Sequence, residues 1–366
     1  MSFQNQVAAK IKECYPGISA TEEELRNIVK ICTPHKISLR KSVLEHAKKF
    51  ISLVFGLRRS EKYKKELGIF DPGNYSVLMA YDFHLTEDGE LRLIEINTNG
   101  ASSLLVDVLH RIHGTVGVSE EFQNSLKKSF INEFGRSSGR VCIIDENFKK
   151  QNSYVEFLMF QKLFEKWGYQ AEVINPEEFK SADFIYNRLT DFYFSQEYSQ
   201  KIKKAYDSKK TIVSPNPNEY HLLANKLRLR ELCNEDLLTN KYGMNSFEAS
   251  FVATRVPEVK SFSDFKDIDD LWGQRKKYFF KPVESFGAKG AFKGENISRK
   301  LFNELFLKNY IAQEFIRPPM FQDYKWDLRF YVYKDEIQLP AARLYKGQTT
   351  NFQEEGSGLA VVSFDC

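Results

Sequence analysis

Apolar strands and amphipathic helices alternate in the middle of the chain, and this alternation limits the possible folds more than any other feature of the sequence. Apolar runs predict strands at VCIID (141–145), YQAEVIN (169–175) and DFIYNR (183–188), and a fourth strand at TIVSPNPNEY (211–220). A helix is predicted over roughly 153–167, and another between the last two strands. Strands that alternate with helices at these lengths form a parallel sheet, so we predict a small α/β domain here.

Two apolar strands joined by a tight turn precede this segment. SVLMAYDF (76–83) and LRLIEIN (91–97) are connected by LTEDGE, whose Asp-Gly pair is a strong signal for a hairpin. Helices are predicted to follow over 104–113 and 120–134.

The first 70 residues are predicted to be helical. Thr21 and Glu24 form a capping-box pattern ahead of LRNIVKIC, and a second helix is predicted from Leu44 to Leu67, ending near Gly68. The pattern of these helices leaves three roles open: packing on the core, shaping a substrate pocket, or forming a homodimer interface.

After residue 221 the pattern becomes α+β. A basic helix, LLANKLRLRELC, is followed by a linker-like NSFEASF and then by the apolar strands KYFFKPV, YIAQEFI and LAVVSF and the hairpin DLRFYVYKDEIQLPAARLY. The chain is therefore predicted to divide into four segments: 1–74, 75–138, 139–217 and 218–366.

Composition excludes several classes of protein. The 366 residues carry 53 basic and 49 acidic side chains, and a net charge of +4 does not indicate a nucleic-acid partner. No stretch approaches the ~18 continuous apolar residues of a membrane span, and the start lacks the apolar core of a signal peptide. Five cysteines without a CxxC pair indicate free thiols. We therefore expect a cytoplasmic protein without membrane or nucleic-acid partners.

Three polar side chains on the predicted hairpin are candidate metal ligands. Glu95 and Asn97 are two apart on one strand, so they leave the same face, and the hairpin places Asp82 beside them. An acid in an apolar strand costs several kcal/mol unless it is paired or binds a metal. Carboxylate and amide oxygens suit Mg²⁺. The alternative is an edge strand whose polar face lies in water. His84 is predicted to point to the opposite face.

A lysine and a glycine-containing loop form a second candidate site. Lys281 ends an apolar strand and is followed by Ser285, Phe286, Gly287 and the rest of the loop up to Gly290. Such a lysine can place its ammonium group on phosphate, and a glycine loop lets backbone N–H groups approach phosphate oxygens. Taken alone, the pattern is also typical of a surface hairpin.

The C-terminal part adds an apolar strand with an acid and a group of arginines. QEFI (313–316) offers backbone groups that can border an adenine ring. Asp327, Arg329, Arg343 and Asn351 follow, and arginine pairs with carboxylate or phosphate through two hydrogen bonds. Exposed salt bridges are the alternative for each of them.

Read along the chain, these motifs resemble the ATP-grasp superfamily in rotated order. In the usual order an α/β domain is followed by two phosphate-contacting lysines with a glycine loop, an adenine hinge, an Asp-x-Arg strand and finally an Asp…Glu-x-Asn metal motif. Here the metal motif comes first, so the chain looks circularly permuted and is similar to eukaryotic-type glutathione synthetase. The matching positions are, in the superfamily's order, 141–215, Lys226, Lys281 with 285–290, 313–316, Asp327 and Arg329, Arg343, Asn351, and then Asp82, Glu95 and Asn97.

The resemblance implies a permuted ATP-grasp fold, with a small parallel α/β domain of the pre-ATP-grasp type and an N-terminal helical segment. It also implies a ligase in which a carboxylate takes the γ-phosphoryl group of ATP and an amine then displaces phosphate from the acyl phosphate. ATP and Mg²⁺ are the implied cofactors. The implied partners are a small-molecule carboxylate, either an amino acid or a peptide, and an amine.

The resemblance also implies a role for each matching residue. Asp82, Glu95 and Asn97 hold Mg²⁺, while Arg329, Arg343 and Asn351 hold the transferring phosphoryl group or the acceptor carboxylate. The residues implied to contact the nucleotide are Lys226, Lys281, Ser285, Phe286, Gly287, Gly290, Gln313, Glu314, Phe315 and Ile316. The loop SFGAKG lacks the three consecutive glycines of glutathione synthetase, so the resemblance favours the ligase class rather than one product.

Two other functions are compatible with the same motifs. One is an ATP-binding regulatory or scaffolding module of this fold without ligase turnover, and the other is phosphoryl transfer to an acceptor that is not a carboxylate. The ligase differs from both because its ADP release requires a carboxylate and an amine together.

Overall fold

The computed structural model describes residues 1–67, 69–285 and 287–365 and shows a mixed α/β protein. In these residues the strands form three sheets, one of which is entirely parallel. The prediction of mixed α/β architecture with a small parallel sheet is confirmed.

The N-terminal segment contains a strand as well as helices, so the prediction of a purely helical segment is wrong. Its elements are α1 (Phe3–Cys14), α2 (Glu22–Ile28), β1 (Cys32–Arg40), α3 (Lys41–Arg59) and α4 (Glu61–Leu67). β1 pairs in parallel with the last strand of the chain, and Thr33 Oγ1 donates a hydrogen bond to the carbonyl of Leu359 at 2.8 Å. Because this partner is distant in sequence, no local turn pattern indicates the strand.

The helix predicted over 44–67 is interrupted. Ser60 has an extended backbone and separates α3 from α4. Gly68, predicted to end the second helix, lies outside the described residues. The capping box of Thr21 and Glu24 is present at the start of α2, as predicted.

The predicted hairpin is confirmed and is followed by two helices. The elements are β2 (Met79–Leu85), β3 (Leu91–Asn97), α5 (Ser103–Ile112) and α6 (Val116–Phe134). Gly89 in the turn has a φ of +82°, which glycine adopts without steric cost.

The predicted α/β segment forms the parallel sheet, in the strand order β5-β4-β6-β7. Its elements are β4 (Gly139–Ile144), α7 (Tyr154–Trp167), β5 (Tyr169–Ile174), β6 (Phe184–Asn187), α8 (Gln200–Asp207) and β7 (Ile212–Ser214). β7 is much shorter than predicted, because Pro215 and Pro217 lack the N–H groups that a longer strand would donate.

The next segment forms an antiparallel sheet in the order β10-β9-β11-β8. Its elements are α9 (Pro217–Glu219), α10 (Leu227–Leu232), α11 (Ser246–Ala253), β8 (Val259–Ser261), α12 (Ile268–Gln274), β9 (Tyr278–Pro282), β10 (Phe292–Lys293), α13 (Arg299–Phe306) and β11 (Tyr310–Glu314). NSFEASF is helical, as α11, so the linker prediction is wrong. The side chain of Asn245 caps this helix by accepting a hydrogen bond from the backbone N–H of Glu248.

The C-terminal strands complete the large sheet around the hairpin. They are β12 (Met320–Phe321), β13 (Tyr324–Tyr333), β14 (Glu336–Tyr345) and β15 (Gly358–Asp365). The sheet has the order β1-β15-β14-β13-β2-β3, and β12 also pairs with β13.

Apolar cores cover both faces of the large sheet. On one face, helices α1, α2, α5, α6 and α7 form a core that also includes the parallel sheet. On the other face, α3, α10 and α11 pack against alternate residues of the same strands. The N-terminal helices therefore pack on the core. In the described part of the chain, no helix is both long enough and apolar enough to cross a bilayer.

Candidate functional site

A cavity of about 880 Å³ lies where the three sheets meet. Glu95 on β3 and Arg329 on β13 border it from the large sheet, and Lys281 on β9 borders it from the antiparallel sheet. Asp145 and Arg188 border it from the parallel sheet. A volume of this size accommodates a ligand as large as a nucleotide together with a small substrate.

The hairpin brings the three candidate metal ligands together, as its geometry predicted. Asp82 and Glu95 are register partners on β2 and β3. The side-chain amide of Asn97 donates to Asp82 Oδ2 at 3.1 Å and to Glu95 Oε1 at 3.2 Å. Glu95 and Asn97 line the cavity.

Asp82 makes strong contacts with two arginines. Arg329 donates from Nε and from its terminal nitrogen to the two oxygens of this carboxylate, each at 2.7 Å, and Arg343 lies 2.9 Å from Oδ2. Asp82 is 0% exposed, and buried charges require such partners. That Asp82 binds a metal therefore stays a prediction, because its oxygens accept from arginine in this structure.

The two arginines belong to a buried cluster of alternating charge. Arg343 also donates to both oxygens of Asp327, at 2.6 and 3.0 Å, and Thr350 donates to Asp327 Oδ2 at 2.6 Å. Burial lowers the pKa of Arg329, but the neighbouring Asp82 carboxylate outweighs burial and raises that pKa above its ordinary value. Both guanidinium groups therefore stay charged at the edge of the cavity.

Two buried lysines lie close to Glu95. Lys281 Nζ donates to the carbonyl of Ile94 at 3.1 Å, and Lys226 Nζ donates to the carbonyl of Ser285 at 3.0 Å. Burial lowers the pKa of Lys281 to about 8, although Glu95 opposes this shift. Burial raises the pKa of Glu95, but the two ammonium groups outweigh it and hold that pKa below its ordinary value. The cluster thus joins an anionic carboxylate with cations suited to phosphate.

The predicted adenine-binding segment lines the cavity beside these lysines. The four residues of the segment, all on the cavity wall, are Gln313, Glu314, Phe315 and Ile316. The side-chain amide of Gln313 donates to the carbonyl of Ile94 at 3.2 Å. This hydrogen bond connects β11 to β3, the strand that carries Glu95 and Asn97. The Lys293 ammonium lies 4.4 Å from the centroid of the Phe315 ring.

Some predicted residues lie away from the cavity wall. Ser285 and Gly287 line the cavity. Gly290 and Asn351 are not among the described residues that line it, although Thr350, the neighbour of Asn351, does. Phe286 lies outside the described residues. The nucleotide roles of this loop stay predictions.

His84 faces the cavity, so its predicted orientation is wrong. It lines the wall, and its Nδ1 lies 2.9 Å from the carbonyl oxygen of Ile316. Residues two apart on a strand share a face, so the position of Asp82 already indicated this orientation. Burial lowers the pKa of His84.

Two polar residues of the parallel sheet were not predicted as site residues. Asp145 directly follows β4 and Arg188 directly follows β6. The signal was available, because polar residues immediately after parallel strands lie at the edge where α/β proteins bind ligands.

The donor set fits Mg²⁺ through Glu95 and Asn97. Among the residues with described placement, no cluster of three or more His, Cys, Asp or Glu side chains is arranged to hold a metal. One carboxylate and one amide that face a cavity nevertheless fit Mg²⁺, which keeps waters and takes further oxygens from phosphates.

Comparisons with known proteins do not identify a family. No family model matches the chain, and no curated protein matches it. One similar solved structure is named "Putative gamma-glutamylcysteine synthetase", from Methylobacillus flagellatus KT, with a TM-score of 0.49 and 10% sequence identity over 86% of this chain and 85% of that chain. A similarity of this size establishes neither a family nor an activity for this chain.

Proposed function

We propose that this chain is an ATP-dependent carboxylate–amine ligase with a permuted ATP-grasp fold. The reaction forms an amide through an acyl phosphate and releases ADP and phosphate. One observation carries the proposal: Glu95, Asn97, Lys226 and Lys281 come from three separate segments and line a single cavity of about 880 Å³. This combination of a hard-ligand pair and two buried cations matches the charges of Mg-ATP.

Glu95 and Asn97 would hold Mg²⁺ on the cavity wall. When bound, the ion neutralises charge on the β- and γ-phosphates. Asp82 is the third candidate ligand, and its metal role stays a prediction because both of its oxygens accept hydrogen bonds from Arg329. Glu95 and Asn97, which line the cavity, are sufficient protein ligands for a Mg²⁺ site whose remaining ligands are phosphate oxygens of the nucleotide and water.

Lys226 and Lys281 would contact the phosphates of the nucleotide. Each is buried on the cavity wall and donates to a backbone carbonyl, a neutral acceptor that phosphate can replace. Lys226 directly precedes α10, so its hydrogen bond to Ser285 connects the start of this helix to the glycine loop. A phosphate that displaces Ser285 would release the loop from Lys226, and the loop would then close over the nucleotide and exclude water from the acyl phosphate.

Arg329 and Arg343 would stabilise the transferring phosphoryl group, with Asn351 assisting. Their guanidinium groups are held in place by Asp82 and Asp327 before any ligand arrives. Preorganised cations of this kind lower the barrier because they need no reorganisation during the reaction. No enzyme nucleophile is required.

The test is trapping of the acyl phosphate with hydroxylamine. The protein is incubated with Mg-ATP, hydroxylamine and a panel of amino acids and short peptides, and hydroxamate and ADP are measured. We expect at least one carboxylate to give both products in equal amounts. Mg-ATP binding without hydroxamate across the panel would favour the ATP-binding module instead, and absence of Mg-ATP binding would refute the proposal.

Glu95→Ala provides the matched variant for this test. Removing the cavity-facing carboxylate should lower ADP release at least about 100-fold, since it removes a ligand of the Mg²⁺ that would neutralise charge at the reacting phosphates. Glu87→Ala is the control, because Glu87 is exposed in the hairpin turn of the same two strands. Wild-type turnover in Glu95→Ala would remove the central residue of the proposal.

A further inference from the structure

Polar residues also line the cavity at the carboxyl edge of the parallel sheet. β4 and β6 are parallel neighbours in this sheet. The chain continues from β4 to β5 on one side of this pair, and from β6 to β7 on the other side. Reversal of strand order at this point opens a crevice where α/β sheets bind ligands. Asp145 and Arg188 are the first residues after these two strands, and both line the cavity.

Arg188 is a buried cation without a close anionic partner. It is 7% exposed, and it donates to the Tyr186 hydroxyl and to the Asn99 carbonyl, each at 3.3 Å. No carboxylate in the described ranges lies within 4.0 Å of its guanidinium group. A buried charge is costly unless it is paired, and Arg188 keeps unused donors for a carboxylate.

Asp145 is the complementary buried anion. It is also 7% exposed, and it accepts a hydrogen bond from the backbone N–H of Glu146 at 2.8 Å. Burial raises the pKa of Asp145 to about 6, and the charge of Arg188 opposes that shift. The carboxyl is therefore ionised at pH 7.5, as a partner for an ammonium group must be.

The positions of the two charges match a ligand that carries both signs close together. Ile144 and Asn187, which precede Asp145 and Arg188, are register partners on adjacent strands, and such strands lie about 4.8 Å apart. Tyr220 also lines the cavity, and its buried hydroxyl has no hydrogen-bond partner in the part of the chain that the structure describes. Phe157 and Phe192 supply apolar surface nearby.

We infer that Asp145 and Arg188 recognise the α-ammonium and α-carboxylate groups of an amino acid. The inference rests on the proposed function, because it assigns one substrate of the ligase to the part of the cavity wall at the carboxyl edge of the parallel sheet. Arg188 binds the carboxylate through two N–H groups, and Asp145 accepts from the ammonium. A substrate that lacks either group leaves one buried charge unpaired.

The test measures binding of each of the twenty common L-amino acids by isothermal titration calorimetry, with and without Mg²⁺ and the non-hydrolysable nucleotide AMP-PNP. Every amino acid that binds is compared with the amine that lacks its α-carboxylate and with the acid that lacks its α-ammonium group. We expect at least one amino acid to bind, and both analogues to bind at least tenfold more weakly.

Two variants connect the selectivity to the two residues. In Arg188→Gln the preference over the amine analogue should fall below about threefold, and in Asp145→Asn the preference over the deaminated acid should fall likewise. Arg140→Gln is the control, because Arg140 lies at the opposite end of β4 in an exposed pair with Glu172. Its selectivity should equal that of the wild type.

The outcomes separate this inference from the proposed function. Equal binding of amino acid and analogues, or binding of AMP-PNP but of no amino acid, overturns the inference and leaves the ligase proposal standing. Selective amino-acid binding without any AMP-PNP binding supports the inference and refutes the ligase proposal. The wild-type analogue series decides the question even if a variant fails to fold.

Discussion

Four charged residues at the edge of the cavity are largely buried in contact with one another. Asp82, Asp327, Arg329 and Arg343 alternate in sign at the edge of the cavity and lie within ion-pair distance of their partners. Removing one member leaves another charge buried and unpaired, which costs about 3–5 kcal/mol. Each of these residues therefore contributes to folding as well as to the proposed reaction, and activity loss in their variants must be separated from unfolding.

His110 is expected to make the protein sensitive to acid. It is buried, its Nδ1 lies 2.9 Å from Thr115 Oγ1, and burial lowers its pKa to about 4. The unfolded chain binds this proton near pH 6.5, so the folded state loses relative stability as the pH falls from 6.5 towards 4. Between pH 7 and pH 5 the wild type should lose about 2 kcal/mol more unfolding free energy than His110→Gln.

Urea unfolding at several pH values measures this difference. The curves of unfolding free energy against pH for wild type and His110→Gln should run parallel above pH 7 and diverge below about 6.5. Curves that stay parallel down to pH 5 would contradict a lowered pKa for His110.

Among the elements, the turn after β3 depends on a close backbone approach at Gly100. A Cβ atom there would lie 2.6 Å from the carbonyl oxygen of Leu78 and 3.2 Å from the ring of Tyr331. Because backbone cannot move aside as a flexible side chain does, Gly100→Ala should lower the unfolding free energy by about 1–3 kcal/mol.

Gly56→Ala is the matched control for Gly100→Ala. Gly56 lies inside α3, where an added Cβ meets nothing within 4 Å. This substitution should instead raise the unfolding free energy by about 0.5–1 kcal/mol, since it removes backbone freedom from the unfolded chain. Equal changes in unfolding free energy for the two substitutions, measured by chemical denaturation, would show that a Cβ atom at Gly100 does not destabilise the turn.

The glycine loop is expected to respond to nucleotide. Lys289 is exposed in this loop, and Ser285 at its start accepts from Lys226. Mg-AMP-PNP should slow tryptic cleavage after Lys289 at least about fivefold, because local protection follows the fraction of loop held closed. Cleavage after Lys12, which is exposed on α1, is the internal control. The same rate at Lys289 with and without nucleotide would contradict loop closure.

For the whole molecule, residues of all three sheets line the one cavity described above. A ligand bound there contacts all three sheets and should stabilise them together. Mg-AMP-PNP at 100 times its dissociation constant should add about 2.7 kcal/mol of unfolding free energy. Thermal unfolding should shift upwards as one transition, and Glu95→Ala at the same concentrations should show most of this shift lost. A shift of equal size in Glu95→Ala would place the nucleotide elsewhere.

Short-range patterns in the sequence were sufficient for much of this structure. The Asp-Gly turn and the alternation of apolar residues predicted the hairpin, and the hairpin places Asp82, Glu95 and Asn97 side by side. The alternation of strands and helices predicted the parallel sheet. Turn chemistry and side-chain period are properties of neighbouring residues, which is why they can be read locally.

Contacts between residues far apart in the sequence could not be predicted from local patterns. β1 pairs with β15 across nearly the whole sequence, and Arg329 reaches Asp82 from 247 residues away. Local patterns did not show that Asp82 pairs with Arg329, and they missed Asp145 and Arg188, because the partner of a buried charge depends on which strands the fold makes neighbours. The sequence alone therefore specified the elements that local patterns encode, such as the hairpin and the parallel sheet. The tertiary structure specified which charges meet, since burial makes pairing obligatory but does not choose the partner.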